Sequence, residues 1–506
     1  MLPRGLTRAV AVDERMQALA EMHTHPTVIR AAHRYEVVEA MNRLKIAGGR
    51  FHFIGAGGVG MSGLARFLLG KKAIVTGSDQ TAGAAVSRLR EMGADIRVGH
   101  NADNLHPATD AVVISAAIRE NNPELQAARQ RGCRVYKYAQ FLGELVKHFE
   151  GIAVAGTHGK STTSGWLVYC LKQAGIDANF VVGADILQLG GSSGSGDSEF
   201  FVVEACEYDR SFHNLKPRIA CILNIERDHL DCYKDEDDIV ESFQQFALGT
   251  RPDGLVVADG DDPNVARVIA YLAGQRRCVT FGFDPQCTYC ARNVHEDAGF
   301  YRFDVFQEGR KLGSTRVSLP GRHNVHNALA VVAIAVSIGV EPERMLEVLD
   351  GFQGMDRRLM LKGRFHGITV LDDYAHHPTK IKASLKAIRE RYQPQRLWCV
   401  FQAHQYSRTL SLLDEFAASF TEADKVLVPE IFFARDTEAG RNAVNARILT
   451  ERIRGRGTDA EYIASFDAVC DHLLRNVHAG DVVVAMGAGD VWKVADEYIQ
   501  RLRNHC

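Results

Sequence analysis

Short apolar runs alternate with longer segments of mixed polarity along most of the chain. From Phe51 onward these runs are FHFIG, KAIVTGSD, AVVIS, GIAVAG, FFVVEA, IACILNI, GLVVAD, ITVLDD, LWCVF, KVLVPE and DVVVAMGAG. Strands alternating with helices are typical of βαβ units and parallel sheets. Many of the runs end in Gly, Asp, Glu or Asn, and ligands of open α/β sheets bind beyond the carboxyl ends of strands. The pattern predicts an α/β protein with ligand sites at these ends.

The length of the chain predicts several domains. At 506 residues it is too long for one hydrophobic core, and three domains are the natural expectation. A new strand begins after Glu150, and the GMDRR segment interrupts the pattern at Gly354. The stretch GGSSGSG at 190–196 predicts a mobile loop. The predicted divisions are a charged N-terminal extension and three domains, at 1–48, 49–149, 150–354 and 355–506.

Charge and composition exclude several classes of protein. Lys and Arg number 60 against 62 Asp and Glu, so no global field attracts nucleic acid or an anionic membrane. No apolar stretch is long enough for a signal peptide or a membrane span. The 11 cysteines are scattered and odd in number, which favours reduced thiols. We expect a cytoplasmic protein that binds small polar or anionic ligands, without nucleic acid and without membrane insertion.

A glycine-rich loop follows the first apolar run. Gly55, Gly57, Gly58 and Gly60 stand between the strand FHFI and the helix MSGLARFLL, so backbone N–H groups at a helix N-terminus can face a pyrophosphate. Asp79, with Ser78 beside it, ends the next strand, where a carboxylate can accept from a ribose hydroxyl. A tight turn that needs glycines for packing alone is the alternative. The glycines do not specify which dinucleotide or sugar nucleotide is bound.

A second loop has the character of a phosphate-binding loop. It reads Gly156-Thr157-His158-Gly159-Lys160-Ser161, followed by Thr162, between the strand GIAVA and a predicted helix that ends at Gly175. Val154 occupies the place of the first glycine of the eight-residue pattern, so the loop is a shorter variant. Its backbone amides are suited to phosphate oxygens, Lys160 to the outer phosphates and Ser161 to Mg²⁺. The loop predicts ATP binding.

Acids and imidazoles follow the next strands. Glu204 ends FFVVE, and Asn224, Asp228 and His229 lie in LNIERDHLD. Mg²⁺ prefers hard oxygen ligands and keeps several waters, so one or two side chains per ion are sufficient. Glu204 is the leading candidate ligand, with Ser161 and His229 completing the predicted set. A carboxylate that only caps the next helix is the alternative for Glu204, and packing is the alternative for His229.

These signals, in this order, carry a family resemblance. Together with LPGRHNVHNALA, GMDRRL, DDYAHHP and FQAHQYSRT, they resemble the Mur ligase family of peptidoglycan synthesis, from about Phe51 to about Trp492. Within the family, the motifs are most similar to those of ligases that join L-alanine to UDP-N-acetylmuramate. The resemblance implies three α/β domains: a Rossmann-like domain for the UDP-sugar, a central P-loop ATPase domain with a mainly parallel sheet, and a Rossmann-like C-terminal domain for the amino acid.

The resemblance also assigns roles to residues by motif. Gly57, Gly58 and Gly60 are similar to the loop that holds the UDP pyrophosphate, and Glu204 and His229 to metal ligands. The remaining assignments are to ATP and Mg²⁺ (Lys160, Ser161), to ATP (His323, Asn324, Asn327), to phosphate (Arg358) and to the incoming amino acid (Asp373, Tyr374, His376, His404, Gln405, Arg408).

The implied chemistry can be argued from these residues. A carboxylate is a poor electrophile, so transfer of the γ-phosphoryl group of ATP activates it as an acyl phosphate, a step that requires positioning and charge neutralisation. Lys160, Arg358 and Mg²⁺ suit that task. A neutral amine then attacks, and either His376 or His404 accepts its proton. Domain closure is implied, because water would hydrolyse an exposed acyl phosphate.

Three departures from the family pattern leave the amine open. Cys206 interrupts the usual EADESD, Lys380 replaces the glutamate of DDYAHHPTE, and Gln405 replaces the first arginine of HRYSR. Glycine or serine, or a related UDP-muramyl substrate, is therefore the alternative to L-alanine and UDP-N-acetylmuramate. A nicotinamide-dependent oxidoreductase would leave the Lys160 loop unexplained. A nucleotide sensor would not need Glu204, His229 and the C-terminal imidazoles together.

Overall fold

The computed structural model describes residues 44–433, 436 and 442–504. The chain divides into two compact units, residues 1–49 and 50–506, and the second contains every element given below. Most of the predicted N-terminal extension, residues 1–43, lies outside the described residues. Within the described part of the chain, no helix combines the length and the apolar character needed to cross a membrane.

The first domain is built on a five-stranded parallel sheet in the order β3-β2-β1-β4-β5. Its strands are Arg50–Ile54 (β1), Ile74–Asp79 (β2), Asp95–Val98 (β3), Ala111–Ile114 (β4) and Arg134–Lys137 (β5), and its helices are Val59–Gly70 (α1), Ala84–Glu91 (α2), Pro123–Gln130 (α3) and Tyr138–Val146 (α4). The strand order reverses between β1 and β4, where such sheets bind ligands. The loop Gly55–Gly60 lies at that point.

The second domain is built on a ten-stranded sheet in the order β15-β14-β13-β12-β11-β10-β6-β9-β7-β8. Its strands are Glu150–Ala155 (β6), Asn179–Ile186 (β7), Gly191–Gly194 (β8), Phe200–Glu204 (β9), Ile219–Ile222 (β10), Leu255–Asp259 (β11), Arg277–Gly282 (β12), Tyr289–Asp297 (β13), Phe300–Gln307 (β14) and Arg310–Val317 (β15). The pairs β7–β8, β13–β14 and β14–β15 are antiparallel, and the other neighbours in this sheet are parallel. Its helices are Lys160–Gln173 (α5), Glu236–Leu248 (α6), Pro263–Leu272 (α7), His323–Ser337 (α8) and Pro342–Val348 (α9).

The third domain has a six-stranded sheet in the order β16-β17-β21-β18-β19-β20, parallel except for β16 against β17. Its strands are Met360–Phe365 (β16), Ile368–Asp373 (β17), Leu397–Phe401 (β18), Lys425–Val428 (β19), Ala460–Tyr462 (β20) and Val482–Met486 (β21). Its helices are Pro378–Tyr392 (α10), Tyr406–Ser411 (α11), Leu413–Ala417 (α12), Ala446–Gly455 (α13), Phe466–Asn476 (α14) and Trp492–Asn504 (α15), and short 3₁₀ turns elsewhere are Ala102–Asn104, Leu187–Leu189, Tyr208–Asn214 and Leu349–Gly351. The predicted α/β class with three domains is confirmed.

The prediction of a mobile loop at residues 190–196 is wrong. Gly191–Gly194 forms strand β8 at the sheet edge, and residues 191–193 are buried. A Cβ on Gly194 would come within 2.4 Å of the Phe180 ring, and one on Gly191 within 2.4 Å of the Arg66 guanidinium on helix α1. The small residues therefore serve close packing rather than mobility.

Candidate active site between the second and third domains

The phosphate loop is held by the residues that follow strand β10. Gly156 and Gly159 adopt positive φ angles of 141° and 82°, which glycine tolerates best. The backbone N–H of Thr157 donates to the carbonyl of Asn224 at 3.0 Å, and the N–H of His158 donates to the Asn224 Oδ1 at 2.7 Å. Asn224, which the sequence groups with candidate metal ligands, is thus engaged in fixing the loop.

Lys160 opens helix α5 and is ion-paired in this structure. Its Nζ lies 2.7 Å from Glu207 Oε2 and donates to the Gly156 carbonyl at 2.5 Å. Burial opposes the charge on Lys160, but the surrounding negative charges, Glu207 first, together outweigh it and raise the lysine pKa. Burial likewise opposes ionisation of Glu207, yet Lys160 and His229 lower its pKa to about 2. The pair therefore remains charged, and Glu207 is a site residue that sequence reasoning missed, three positions after Glu204.

A cavity of about 470 Å³ lies beside this loop, between the second and third domains. Glu204 also lines it, as do Arg358 and Lys380 from the third domain. All the predicted nucleotide-contact residues except Gly156, which directly precedes them, line the cavity: Thr157, His158, Gly159, Lys160, Ser161, Thr162, His323, Asn324 and Asn327. Residues that are far apart in sequence are thus brought to one space.

Another part of the cavity wall was not predicted. It includes Phe283, whose ring lies 4.3 Å from the Arg322 guanidinium carbon. His326 lies between Asp259, at 2.8 Å, and Asp261, at 3.2 Å. Burial opposes a charge on His326, but the two carboxylates outweigh it and raise its pKa to about 9. The only sequence signal was the carboxylate that ends the run GLVVAD.

The three predicted metal ligands do not share one cavity. Ser161 and Glu204 both line the large cavity, where Ser161 Oγ accepts from Arg358 Nη2 at 3.3 Å and Glu204 accepts from the Gly183 N–H at 2.9 Å. His229 lines a smaller cavity of about 110 Å³, and its Nε2 lies 3.5 Å from Glu207. A hydroxyl and a carboxylate on one cavity are hard oxygen donors, which fit Mg²⁺.

The small cavity also contains two residues predicted to bind the amino acid. Gln405 and Arg408 line it with His229. The Nε and Nη2 of Arg408 donate to Asp228 Oδ1 at 3.2 and 3.0 Å. Burial opposes ionisation of Asp228, but Arg408, followed by His229, His376 and Lys380, together outweigh it and hold the pKa of this carboxyl well below its usual value. Part of the guanidinium is therefore already occupied by a carboxylate of the chain itself.

The other predicted amine-site residues form a cluster of rings. His376 Nδ1 lies 2.8 Å from the Tyr374 carbonyl, so Nδ1 carries the proton and Nε2 the lone pair. Burial, then Lys380 and Arg408, lower the His376 pKa. His404 stacks on Phe432 at 5.5 Å and lies 6.2 Å from His376. The neutral imidazole of His376 is suited to accepting a proton.

The turn that leads into this cluster is fixed by Asp373. Its Oδ1 accepts from the Ala375 N–H at 2.5 Å and its Oδ2 from the Leu359 N–H at 2.9 Å. The Tyr374 ring lies 4.9 Å from the Arg358 guanidinium carbon. Asp373 therefore positions the segment, and it also lines the large cavity.

The glycine loop of the first domain is closed by Asp79. The Gly57 N–H donates to Asp79 Oδ2 at 2.8 Å, and Gly55 adopts a φ of 81°. The Ser78 hydroxyl points into the interior, where it donates to Glu124 at 2.6 Å. A Cβ on Gly60 would lie 3.0 Å from the Tyr138 ring.

The ring of Tyr138 packs beside Gly60 of the glycine loop. Burial raises the pKa of this phenol, and the charges of Glu204 and Cys206 add to the effect. Sequence reasoning gave no signal for Tyr138.

Fold and site together define a nucleotide-dependent enzyme of three α/β domains. Residues 50–150 match the catalytic domain of the Mur ligase family, residues 154–335 the Mur ligase middle domain and residues 357–489 the Mur ligase glutamate ligase domain. The chain belongs to the Mur ligase family and is an ATP-dependent ligase that forms amide bonds.

Individual relatives match over nearly the whole chain. The UDP-N-acetylmuramate–L-alanine ligase of Caldanaerobacter subterraneus subsp. tengcongensis is 41% identical over 453 residues, which cover 89% of this chain and 97% of that protein. A crystal structure of UDP-N-acetylmuramate–alanine ligase from Thermotoga maritima superposes with a TM-score of 0.74 at 26% identity, covering 90% of this chain and 100% of that one. A murein peptide ligase from Psychrobacter arcticus 273-4 gives 0.66 at 28% identity, covering 91% and 100%.

Proposed function

We propose that this chain joins L-alanine to the carboxylate of UDP-N-acetylmuramate, with conversion of ATP to ADP and phosphate, in the synthesis of peptidoglycan precursors. The observation that carries the proposal is the cavity in which the phosphate loop of the second domain faces Arg358 and Lys380 of the third. The choice of sugar and amine is supported by the alanine-adding relatives, which are 38–41% identical over 88–89% of the chain.

The first chemical step is phosphoryl transfer. The bond between the γ-phosphorus of ATP and the bridging oxygen breaks, and a bond to the sugar carboxylate forms. Lys160 and Arg358, which face the same cavity, neutralise charge on the transferring group. Gly57, Gly58 and Gly60, with Asp79 bracing them, hold the UDP portion in the first domain.

In the second step, the amine of alanine attacks the acyl carbon and forms the C–N bond, and the acyl C–O bond breaks with release of phosphate. The amine proton passes to His376 Nε2, because Nδ1–H is held by the Tyr374 carbonyl and the lowered pKa keeps the ring neutral. His404 is the alternative base, but it is stacked on Phe432. Arg408 and Gln405 in the small cavity receive the α-carboxylate.

Ser161 and Glu204 would hold Mg²⁺, which supplies charge neutralisation at the phosphate oxygens when bound. We place the reaction in the cytoplasm. All ten cysteines within the described residues are free thiols, as a reducing compartment requires.

Phosphate release tests this function directly. ATP, UDP-N-acetylmuramate and one of alanine, glycine or serine are combined with the wild-type enzyme, and each partner is omitted in turn. We expect ADP and phosphate only when the sugar and an amine are both present, with alanine giving the highest kcat/KM. Faster turnover with glycine or serine would reassign the amine, and ATP consumption without the sugar would reject the ligase.

Replacing Glu204 by Gln is expected to raise the Mg²⁺ concentration needed for half-maximal activity by about tenfold or more, because the amide keeps the shape and loses the anionic ligand. The exposed Glu199, just before the same strand, gives the matched control Glu199→Gln, for which no change is expected. An unchanged Mg²⁺ titration in Glu204→Gln would reduce Glu204 to a partner of the Gly183 N–H.

A further inference from the structure

Lys380 occupies an unusual position in the large cavity. It lies in the first turn of helix α10 and lines the cavity together with Lys160 and Arg358. Within the ranges that the structure describes, its ammonium has neither a hydrogen-bond acceptor nor a carboxylate at ion-pair distance. Lys160, by contrast, has Glu207. Lys380 thus adds a positive charge to the cavity without a partner from the chain.

Several effects oppose a cation at this position. Burial, followed by the charges of Lys160 and Arg358, lowers the Lys380 pKa to about 8. The N-terminus of a helix favours anions, and the first turn of α10 contains no acid. The nearby carboxylates of Asp228 and Glu207 are already paired with Arg408 and Lys160. An anion bound beside the ammonium would offset these costs.

The surroundings favour an anion over a metal ion. His158, Glu226 and His377 bring ligand atoms within 4.8 Å of one another, a spacing that suits a metal. However, the charge of Lys380 acts on both imidazoles and contributes to their lowered pKa values. Glu226 also accepts from the Thr379 hydroxyl at 2.5 Å and lies 3.2 Å from His158. A metal ion bound by His158, Glu226 and His377 would be repelled by the ammonium of Lys380, which has no ion-pair partner among the described residues.

The anion can be identified from the cavity that Lys380 lines. This cavity contains Lys160 and Ser161 of the phosphate loop, whereas Gln405 and Arg408 of the amine site line the smaller cavity, which does not include Lys380. We propose that Lys380 binds the γ-phosphoryl group of ATP during its transfer, as a third cation beside Lys160 and Arg358. The proposal rests on the phosphoryl-transfer step of the proposed function. Lys380 stays on the non-bridging oxygens and transfers no proton.

Nucleotide binding provides the decisive experiment. Lys380→Ala is compared with Lys380→Arg and with Lys382→Ala, which removes an exposed lysine two residues further along the same helix. Affinities for AMP-PNP, a non-hydrolysable ATP analogue, and for ADP are measured by calorimetry without sugar or amine. A contact with the γ-phosphoryl group predicts that Lys380→Ala weakens AMP-PNP binding by about tenfold and leaves ADP binding within about twofold, since a charged hydrogen bond is lost only with the analogue. Lys380→Arg should retain most of the wild-type difference between the affinities for AMP-PNP and ADP, and Lys382→Ala should retain all of that difference.

Steady-state kinetics supply a second measurement. In the full reaction, Lys380→Ala should lower kcat by about a hundredfold, the usual effect of removing one preorganised donor at a developing charge, and leave the KM for alanine nearly unchanged. Lys380→Met, which keeps the aliphatic stem, replaces the alanine variant if the latter does not fold. Equal loss of AMP-PNP and ADP affinity, or an effect confined to the KM for alanine, would overturn the proposal. The binding experiment contains neither sugar nor amine, so its result is independent of the reaction that the phosphate-release assay tests.

Discussion

Lys160→Ala should lower turnover by at least about a hundredfold and leave the affinity for UDP-N-acetylmuramate intact. Lys160 faces the phosphate cavity, and loss of a preorganised charge at the phosphoryl group has an effect of this size. The proposed sugar-nucleotide loop lies in another domain, at Gly55–Gly60 after β1. Rates are measured by phosphate release, and sugar binding by calorimetry without ATP.

The controls separate chemistry from stability. Removal of Lys160 leaves the buried Glu207 carboxylate without its ion-pair partner at 2.7 Å, which destabilises the fold by itself. The double variant Lys160→Ala with Glu207→Gln removes that unpaired charge and should be as inactive while unfolding at a higher temperature than the single variant. Lys172→Ala, an exposed change on the same helix, should behave as wild type. Sugar affinity falling in step with turnover would reject the division into two sites.

Features encoded by neighbouring residues were predictable from sequence. The strand GIAVA, the loop Gly156–Ser161 and the start of helix α5 are adjacent in the chain, so a local pattern contains the whole nucleotide-binding element. The alternation of apolar runs with helices likewise predicted the α/β class, because each βαβ unit is nearly self-contained, and the length of the chain predicted three domains. The same reasoning failed at Gly191–Gly194, because the composition of this segment does not show that helix α1 packs against it at the edge of the second sheet.

Contacts between distant residues were not predictable. Glu207 accepts a hydrogen bond from Lys160, which lies 47 residues away in the sequence, and Asp228 accepts one from Arg408, which lies 180 residues away. Nothing in either segment specifies the other. The pairing of β6 with β9 inside the second domain brings the first pair together, and packing of the second domain against the third brings the second pair together. Lys380 was visible as a departure from the family pattern, but its place beside Lys160 and Arg358 required the structure. The cavity wall around Phe283 and His326 has no motif of its own.

One loop of the second domain is held by three side chains of the third. Glu226 accepts from the Thr379 hydroxyl, the Arg227 carbonyl lies 3.1 Å from His377 Nε2, and Asp228 accepts from Arg408. Arg408 therefore has two roles to separate: the proposed binding of the α-carboxylate of alanine and the holding of the two domains together. Its Nε and Nη2 donate to Asp228, and it lines the small cavity in which we propose that the amino acid binds.

We expect Arg408→Ala to raise the KM for alanine by at least about tenfold, because truncating one partner of a buried charge pair usually costs about 2–5 kcal/mol and here also removes the carboxylate-binding group. Asp228→Asn separates the two roles. If Arg408 binds alanine, freeing it from Asp228 should leave the KM for alanine unchanged or lower. If Arg408 only holds Asp228, both single variants and the double variant should show the same loss.

The adjacent Gln405 supplies an independent check on the same pocket. Gln405→Arg adds a charged donor to the small cavity, and a charge-assisted hydrogen bond is about twice as strong as a neutral one, so the KM for alanine should fall while the KM for ATP stays constant. Steady-state kinetics with each substrate varied in turn measure both constants. If neither Arg408→Ala nor Gln405→Arg changes the KM for alanine, the amino acid binds elsewhere. The cluster of His376 and His404, whose ring centroids lie 6.2 Å apart on the same domain, would then be the next candidate site.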